Sequence, residues 1–178
     1  MILSFDILWR TDLKEFIFCQ RDIPKHQWRY GLRSSASTGC GWIATHNALV
    51  MMGYDPKPEK LIRTYERMFP LVHGNTGTMS LAPAVFFMRQ GFQVEYLSVT
   101  ERFDQLAKES DACILFYYWR KGWKIGAHFV ALQHTPKGFV GYNTYSNSKD
   151  VDFYGESLAD FLKRKSYFGA VLIGIRGK

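Results

Sequence analysis

The sequence predicts an α+β fold, with helices gathered in the first half and an antiparallel sheet in the second. Three observations carry this. An apolar run over residues 40–52 stops at Gly53 and reads as a helix buried on most faces. Residues 57–68 and 80–91 carry apolar positions at helical spacing. From residue 112 the pattern changes to apolar runs separated by Lys121-Gly122 and Pro136-Lys137-Gly138, which read as turns between strands. At 178 residues the chain is long enough for one proper core. No linker, repeat or low-complexity stretch divides it, so residues 1–178 are read as a single domain.

Taken in order, residues 2–9 suit a strand and residues 12–18 a short turn or helix. Residues 20–37 are polar and broken by Pro24 and Gly31, a loop that feeds the buried helix. His46 and Asn47 are that helix's polar exceptions. An amphipathic helix follows after Pro58, and His73-Gly74-Asn75-Thr76-Gly77-Thr78 suits a loop at a cleft edge. Ser80 is placed as the cap of a third helix whose Leu81, Val85, Phe86 and Met88 face the core, with Gly91 closing it. Residues 92–99 alternate like a strand and 101–109 read as a short helix. Strands are expected over 112–119, 127–133 and 139–144, a surface helix over 157–165 and a last strand over 170–175.

Net charge is +7, but the lysines and arginines are scattered among acidic residues, which argues against a nucleic-acid partner. The N-terminal apolar stretch holds Asp6 and lacks a basic head and a cleavage signal, so it is not read as a signal peptide. No apolar run approaches the ~18 residues of a membrane span. The three cysteines, Cys19, Cys40 and Cys113, lack metal-type spacing. No metal or cofactor is expected, and the chain is expected to work in a reducing cytoplasm with its thiols free.

The chemistry centres on Cys40. Small polar residues and Gly39 lead into it, and the buried helix begins there, so unpaired N–H groups and the helix dipole favour negative charge on its sulfur. A thiol so placed is expected to have a lowered pKa. A cysteine nucleophile also needs a base. Of the five histidines, His46 lies on a different side of the same helix, His26 and His73 lie in loops, and His134 ends a strand beside a turn. His128 stands apart: in Gly126-Ala127-His128-Phe129-Val130 it opens a strand behind two small residues. On the next strand Asn143 sits where a hairpin sets strand ends side by side, and its amide oxygen could hold the imidazole in one tautomer. Asn147 and Asp150 are rivals in a looser loop.

Cys-Gly-Trp at a helix start, His-Phe-Val opening a strand and an Asn on the following strand resemble the papain-like cysteine peptidases. The compact spacing resembles their bacterial double-glycine-peptidase-like branch over nearly the whole chain, from about residue 20 onward. The resemblance implies a two-lobed fold, a helical lobe carrying the nucleophile helix packed on a C-terminal antiparallel sheet. It implies Cys40 as nucleophile, His128 as base and later acid, Asn143 as orienter, and a peptide or amide substrate. Two positions depart from the family pattern. Ser34 stands where a glutamine usually supplies a side-chain donor to the oxyanion, which leaves the Cys40 N–H with Ser34, Tyr30 or Gln27 as candidate helpers. Asn143 stands where that branch usually has aspartate, as in papain itself. Two further readings accompany the cysteine hydrolase: an acyltransferase using the same Cys-His-Asn site, and a non-catalytic binding module on a peptidase scaffold.

Overall fold

The computed structural model describes residues 8–9, 15–68, 77–144 and 149–177, the first pair by backbone alone. The first half holds β1 (Leu8–Trp9), a 3-10 turn (Gln20–Asp22), β2 (Arg29–Tyr30), β3 (Arg33–Ser34), α1 (Ser35–Thr38), α2 (Cys40–Met51), β4 (Asp55–Pro56), α3 (Pro58–Met68) and α4 (Ala82–Arg89). The second half holds β5 (Gln93–Leu97), a 3-10 turn (Thr100–Arg102), α5 (Phe103–Lys108), β6 (Ala112–Lys121), β7 (Lys124–Thr135), β8 (Gly138–Tyr142), β9 (Asp152–Gly155), α6 (Leu158–Arg164) and β10 (Phe168–Arg176). The fold is α+β. Among the described residues one six-stranded sheet runs β5-β10-β6-β7-β8-β9, and every neighbouring pair in it is antiparallel.

Helix α2 is buried at every position from Gly41 to Val50, as its all-round apolar sequence requires. It stops at Gly53, whose φ of 90° a residue with a Cβ resists. The Gly53 N–H donates to the Val50 carbonyl at 3.0 Å and the Tyr54 N–H to the Leu49 carbonyl at 3.0 Å, closing the helix with a Schellman pair. Helix α6 starts on Ser157, whose hydroxyl accepts from the Asp160 N–H at 3.3 Å.

Both faces of the central strands are covered. On β6, Ala112, Ile114 and Phe116 join the core built with α2, α3 and α4, while Cys113, Leu115 and Tyr117 join a second core with α5 and α6. On β7, Phe129 joins the first core and Val130 and Leu132 the second. Strand alternation therefore puts His128, which pairs with Tyr117, on the second face.

Several expectations are corrected. Ser80 does not cap α4: the cap position is Leu81, with no side-chain cap, and Leu81 and Met88 are exposed. The buried face is Ala82, Ala84, Phe86 and Phe87, because Phe86 packs on Tyr65 and Phe87 on Phe92. This stretch is apolar on nearly every side, so its periodicity could not select the face that packs. Residues 20–37 hold a small hairpin, β2 with β3, and β9 is an additional strand at the sheet edge. Residues 15–18 form no helix, while residues 1–7, 10–14, His73 and Asn147 lie outside the described residues.

Candidate active site

Cys40 is the first residue of α2, and the glycines flanking it are required by close packing. A Cβ on Gly39 would stand 2.6 Å from the Ser35 carbonyl oxygen and 2.7 Å from Trp42 Nε1, which itself donates to Ser35 Oγ at 3.1 Å. A Cβ on Gly41 would stand 2.7 Å from the Thr78 side chain. Gly41→Ala is therefore expected to cost about 1–3 kcal/mol through overpacking, read as a lower denaturant midpoint. A shift near zero would mean that Thr78 is not held against the helix start.

The Cys40 thiol is half-buried and lies against β7. Burial pushes it up to about 11, and backbone N–H groups of Phe129, Gly41 and Cys40 pull the other way by donating to sulfur. This is opposite in sign to the lowering expected at a helix start. The N–H groups are present, but removing the sulfur from water outweighs them.

His128 is fully buried, one residue before the Phe129 whose N–H meets that sulfur. Its Nε2 lies 2.6 Å from the main-chain oxygen of Asn143. A carbonyl only accepts, so Nε2 carries the proton, and in the neutral ring Nδ1 carries the lone pair. Tyr117 packs edge-on to the ring at 6.2 Å. Burial lowers His128 to about 4, the Asn143 carbonyl opposes the fall and the Arg21 guanidinium adds to it. The unfolded chain, with His near 6.5, binds the proton first as pH falls. Stability is thus expected to drop between about pH 6.5 and pH 4, by roughly 3 kcal/mol from this group. Burial lowers His46 as well and adds to the same trend. Denaturation of wild type and His128→Gln across that window checks this, and identical slopes would contradict it.

Asn143 meets the imidazole through its backbone carbonyl and not through the side-chain oxygen expected from the sequence. Its φ of 61° is left-handed, a region in which Asn is among the tolerated residues. The side chain is engaged elsewhere: Oδ1 accepts from the Gln20 N–H at 2.8 Å, and Nδ2 donates to Gln20 Oε1 at 3.2 Å. Gln20 Nε2 then donates to the Ala36 carbonyl at 3.1 Å, in the turn that leads to Cys40. Gln20 is a site residue the sequence did not mark, because its partners are 123 and 16 residues away. Asn143→Gly keeps both carbonyl and backbone angle, so it is expected to retain more reactivity at Cys40 than Asn143→Ala. Equal losses would point to the side chain instead.

The other candidates are placed as follows. His46 Nε2 lies 2.9 Å from the Glu15 carbonyl, and Asn47 binds Ile17 N–H and C=O at 2.9 Å each, so these two residues of α2 hold the strand-like segment that ends at Gln20. His26, Gln27, His134 and Asp150 are exposed. Ser34 is half-buried at the end of β3, and its side chain makes no cap bond to α1. Tyr30 is fully buried and accepts from Thr78 Oγ1 at 3.0 Å, and its burial raises the phenol above its usual range. A cleft of about 480 Å³ on the other face of the sheet is lined by Tyr117, Thr144, Asp152, Tyr154, Lys165 and Tyr167. It shares Tyr117 with His128 and borders Asn143 through Thr144.

No family model and no curated protein matches this chain. Among the described residues no group of three or more His, Cys, Asp and Glu is disposed to hold a metal ion, and no helix is long and apolar enough to cross a membrane.

Proposed function

We propose that the chain is a cysteine-dependent hydrolase of papain-like, two-lobed type, acting on peptide or amide bonds through an acyl-enzyme on Cys40. One observation carries this reading. Cys40 opens a buried helix on the first face of the sheet, with its sulfur against the Phe129 N–H. The residue before Phe129, His128, is fixed on the second face by the Asn143 carbonyl with Nδ1 as its basic nitrogen, so the reading requires the imidazole to meet the sulfur around the edge of β7. The antiparallel sheet with α2 packed on one face supports the two-lobed arrangement.

The mechanism follows from the titration directions. With the thiol near 11 and the imidazole near 4, both groups are neutral at pH 7. Attack therefore starts from the neutral pair. Sulfur bonds to the carbonyl carbon as its proton passes to His128 Nδ1, and the carbonyl π electrons move to oxygen. The C–N bond then breaks, and the imidazolium gives its proton to the leaving amine. Water attacks the thioester with His128 again as base, returning the thiol. The Asn143 carbonyl accepts from Nε2–H throughout and stabilises the imidazolium without adding net charge. Three free thiols, two of them buried, support a reducing compartment.

The test is acylation by p-nitrophenyl acetate followed by peptide mass analysis. Wild type is expected to carry an acetyl group on Cys40 and none on buried Cys19 or Cys113. An unmodified Cys40 would contradict the proposal.

A further inference from the structure

The helical layer stops short of the sheet it covers. Helix α2 spans the first face of β6 from Asp111, which shares a cleft with Met51, to Phe116, which pairs with the Phe129 beside Cys40. Beyond that point β6 and β7 run on as a hairpin to the turn at Gly122-Trp123. A Cβ on Gly122 would meet nothing within 4 Å, so the tip stands clear of the other described residues.

Large apolar side chains crowd this free end. Trp123 is 97% exposed and Ile125 64%, and Tyr118 and Phe168 are exposed as well. Tyr118 stacks on Phe168 of β10 at 5.9 Å and meets Phe116 edge-on at 5.0 Å, which ties the patch to the first core. A contiguous apolar patch left in water on a rigid element marks a surface that meets something.

The charges at the same end have one sign. Residues 118–125 hold Arg120, Lys121 and Lys124 and no carboxylate. Residues 161–169 add Lys163, Arg164 and Lys165, again without a carboxylate, and the register of Phe168 with Tyr118 brings this run to the hairpin. Two basic groups far apart in sequence are thus neighbours in the fold. Among the described residues no carboxylate pairs with Arg120, Lys121 or Lys124, whereas Lys57, Arg102 and Arg176 each have one.

We infer that the β6–β7 hairpin tip docks on an anionic lipid surface. Trp123 and Ile125 enter the headgroup layer, and Arg120, Lys121 and Lys124 meet lipid phosphates. The indole suits that layer because its body is apolar and its N–H finds water. Lysine stems lie along apolar surface while their charges stay wet. Apolar insertion and cationic attraction are each weak alone and add when they share one site. A second copy of the chain would set cations against cations. A nucleic acid would use the cations but gain nothing from Ile125, and Tyr118 and Phe168 already cover a face of each other. The inference stands apart from the hydrolase reading.

Sedimentation of the full chain with vesicles tests it. Wild type is expected to pellet with vesicles of phosphatidylcholine and phosphatidylglycerol in equal parts, and to stay in solution with phosphatidylcholine alone. Added salt is expected to release it. Lys121→Gln with Lys124→Gln is expected to weaken partitioning about 25-fold, at roughly fivefold per cation, and Trp123→Ser about tenfold or more. All three positions are exposed, so an unchanged urea midpoint is expected and separates lost binding from lost fold. Equal pelleting with both vesicle types, or undiminished partitioning of Trp123→Ser, overturns the inference. Absence of pelleting together with Trp123-dependent binding to polyuridylate overturns it in favour of a nucleic acid.

Discussion

Replacing His128 by alanine is expected to slow acetylation of Cys40 by p-nitrophenyl acetate by about 10²–10⁴-fold at neutral pH, the range contributed by a positioned base. The size follows from the environment of the thiol. Burial holds Cys40 up near 11, so without a base almost none of it is thiolate at pH 7. His128 offers its Nδ1 lone pair because Nε2 is committed to Asn143, and at about 4 it is already unprotonated under these conditions. His128→Asn, which fills part of the space with a non-basic amide, is expected to show the same loss with less effect on stability. Recovery of the rate by added imidazole in the alanine variant would support the role. A loss below about threefold would remove His128 from the mechanism.

Trp42→Ala is expected to have the largest effect on stability, about 3–5 kcal/mol, as for other buried aromatic truncations. Trp42 is fully buried, meets Trp28 edge-on at 5.7 Å and donates to Ser35 Oγ at 3.1 Å. Its loss leaves a cavity under the helix start and strands a buried hydroxyl. It also releases the turn that Gly39 closes, so reactivity at Cys40 should fall with stability. Trp42→Phe keeps most of the ring and loses the hydrogen bond, with a cost nearer 1 kcal/mol plus a smaller cavity. Urea unfolding of the three proteins reads this directly. A cost below about 1 kcal/mol for the alanine variant would mean that the site does not depend on this packing.

Much of the fold was legible because it rests on local pattern. The buried helix from Cys40 to its stop at Gly53, the hairpin tip at Lys121-Gly122 and the helix that follows Ser157 are set by residues close in sequence, and each lies where the sequence placed it. The insertion of β10 between β5 and β6 depends on pairings across long separations, which periodicity does not encode. The same division runs through the site. Cys40, His128 and Asn143 could be singled out as candidates from their neighbours. Three things were not: the sign of the Cys40 shift, the use of the Asn143 carbonyl in place of its side chain, and the part played by Gln20. Burial of a half-apolar helix start, a left-handed backbone angle and a contact spanning 123 residues decide these, and all three are tertiary.

The proposed chemistry turns on the passage of the Cys40 proton to His128 as sulfur attacks. The most direct measurement is the pH dependence of Cys40 alkylation by iodoacetamide in wild type and His128→Ala, followed by mass analysis of the Cys40 peptide. If His128 is the base, the wild-type rate is nearly flat between about pH 5 and 8 and falls only toward pH 4, where the imidazole becomes protonated. The alanine variant must rely on free thiolate, so its rate rises about tenfold per pH unit through the same window. Parallel tenfold-per-unit profiles in the two proteins would contradict the claim.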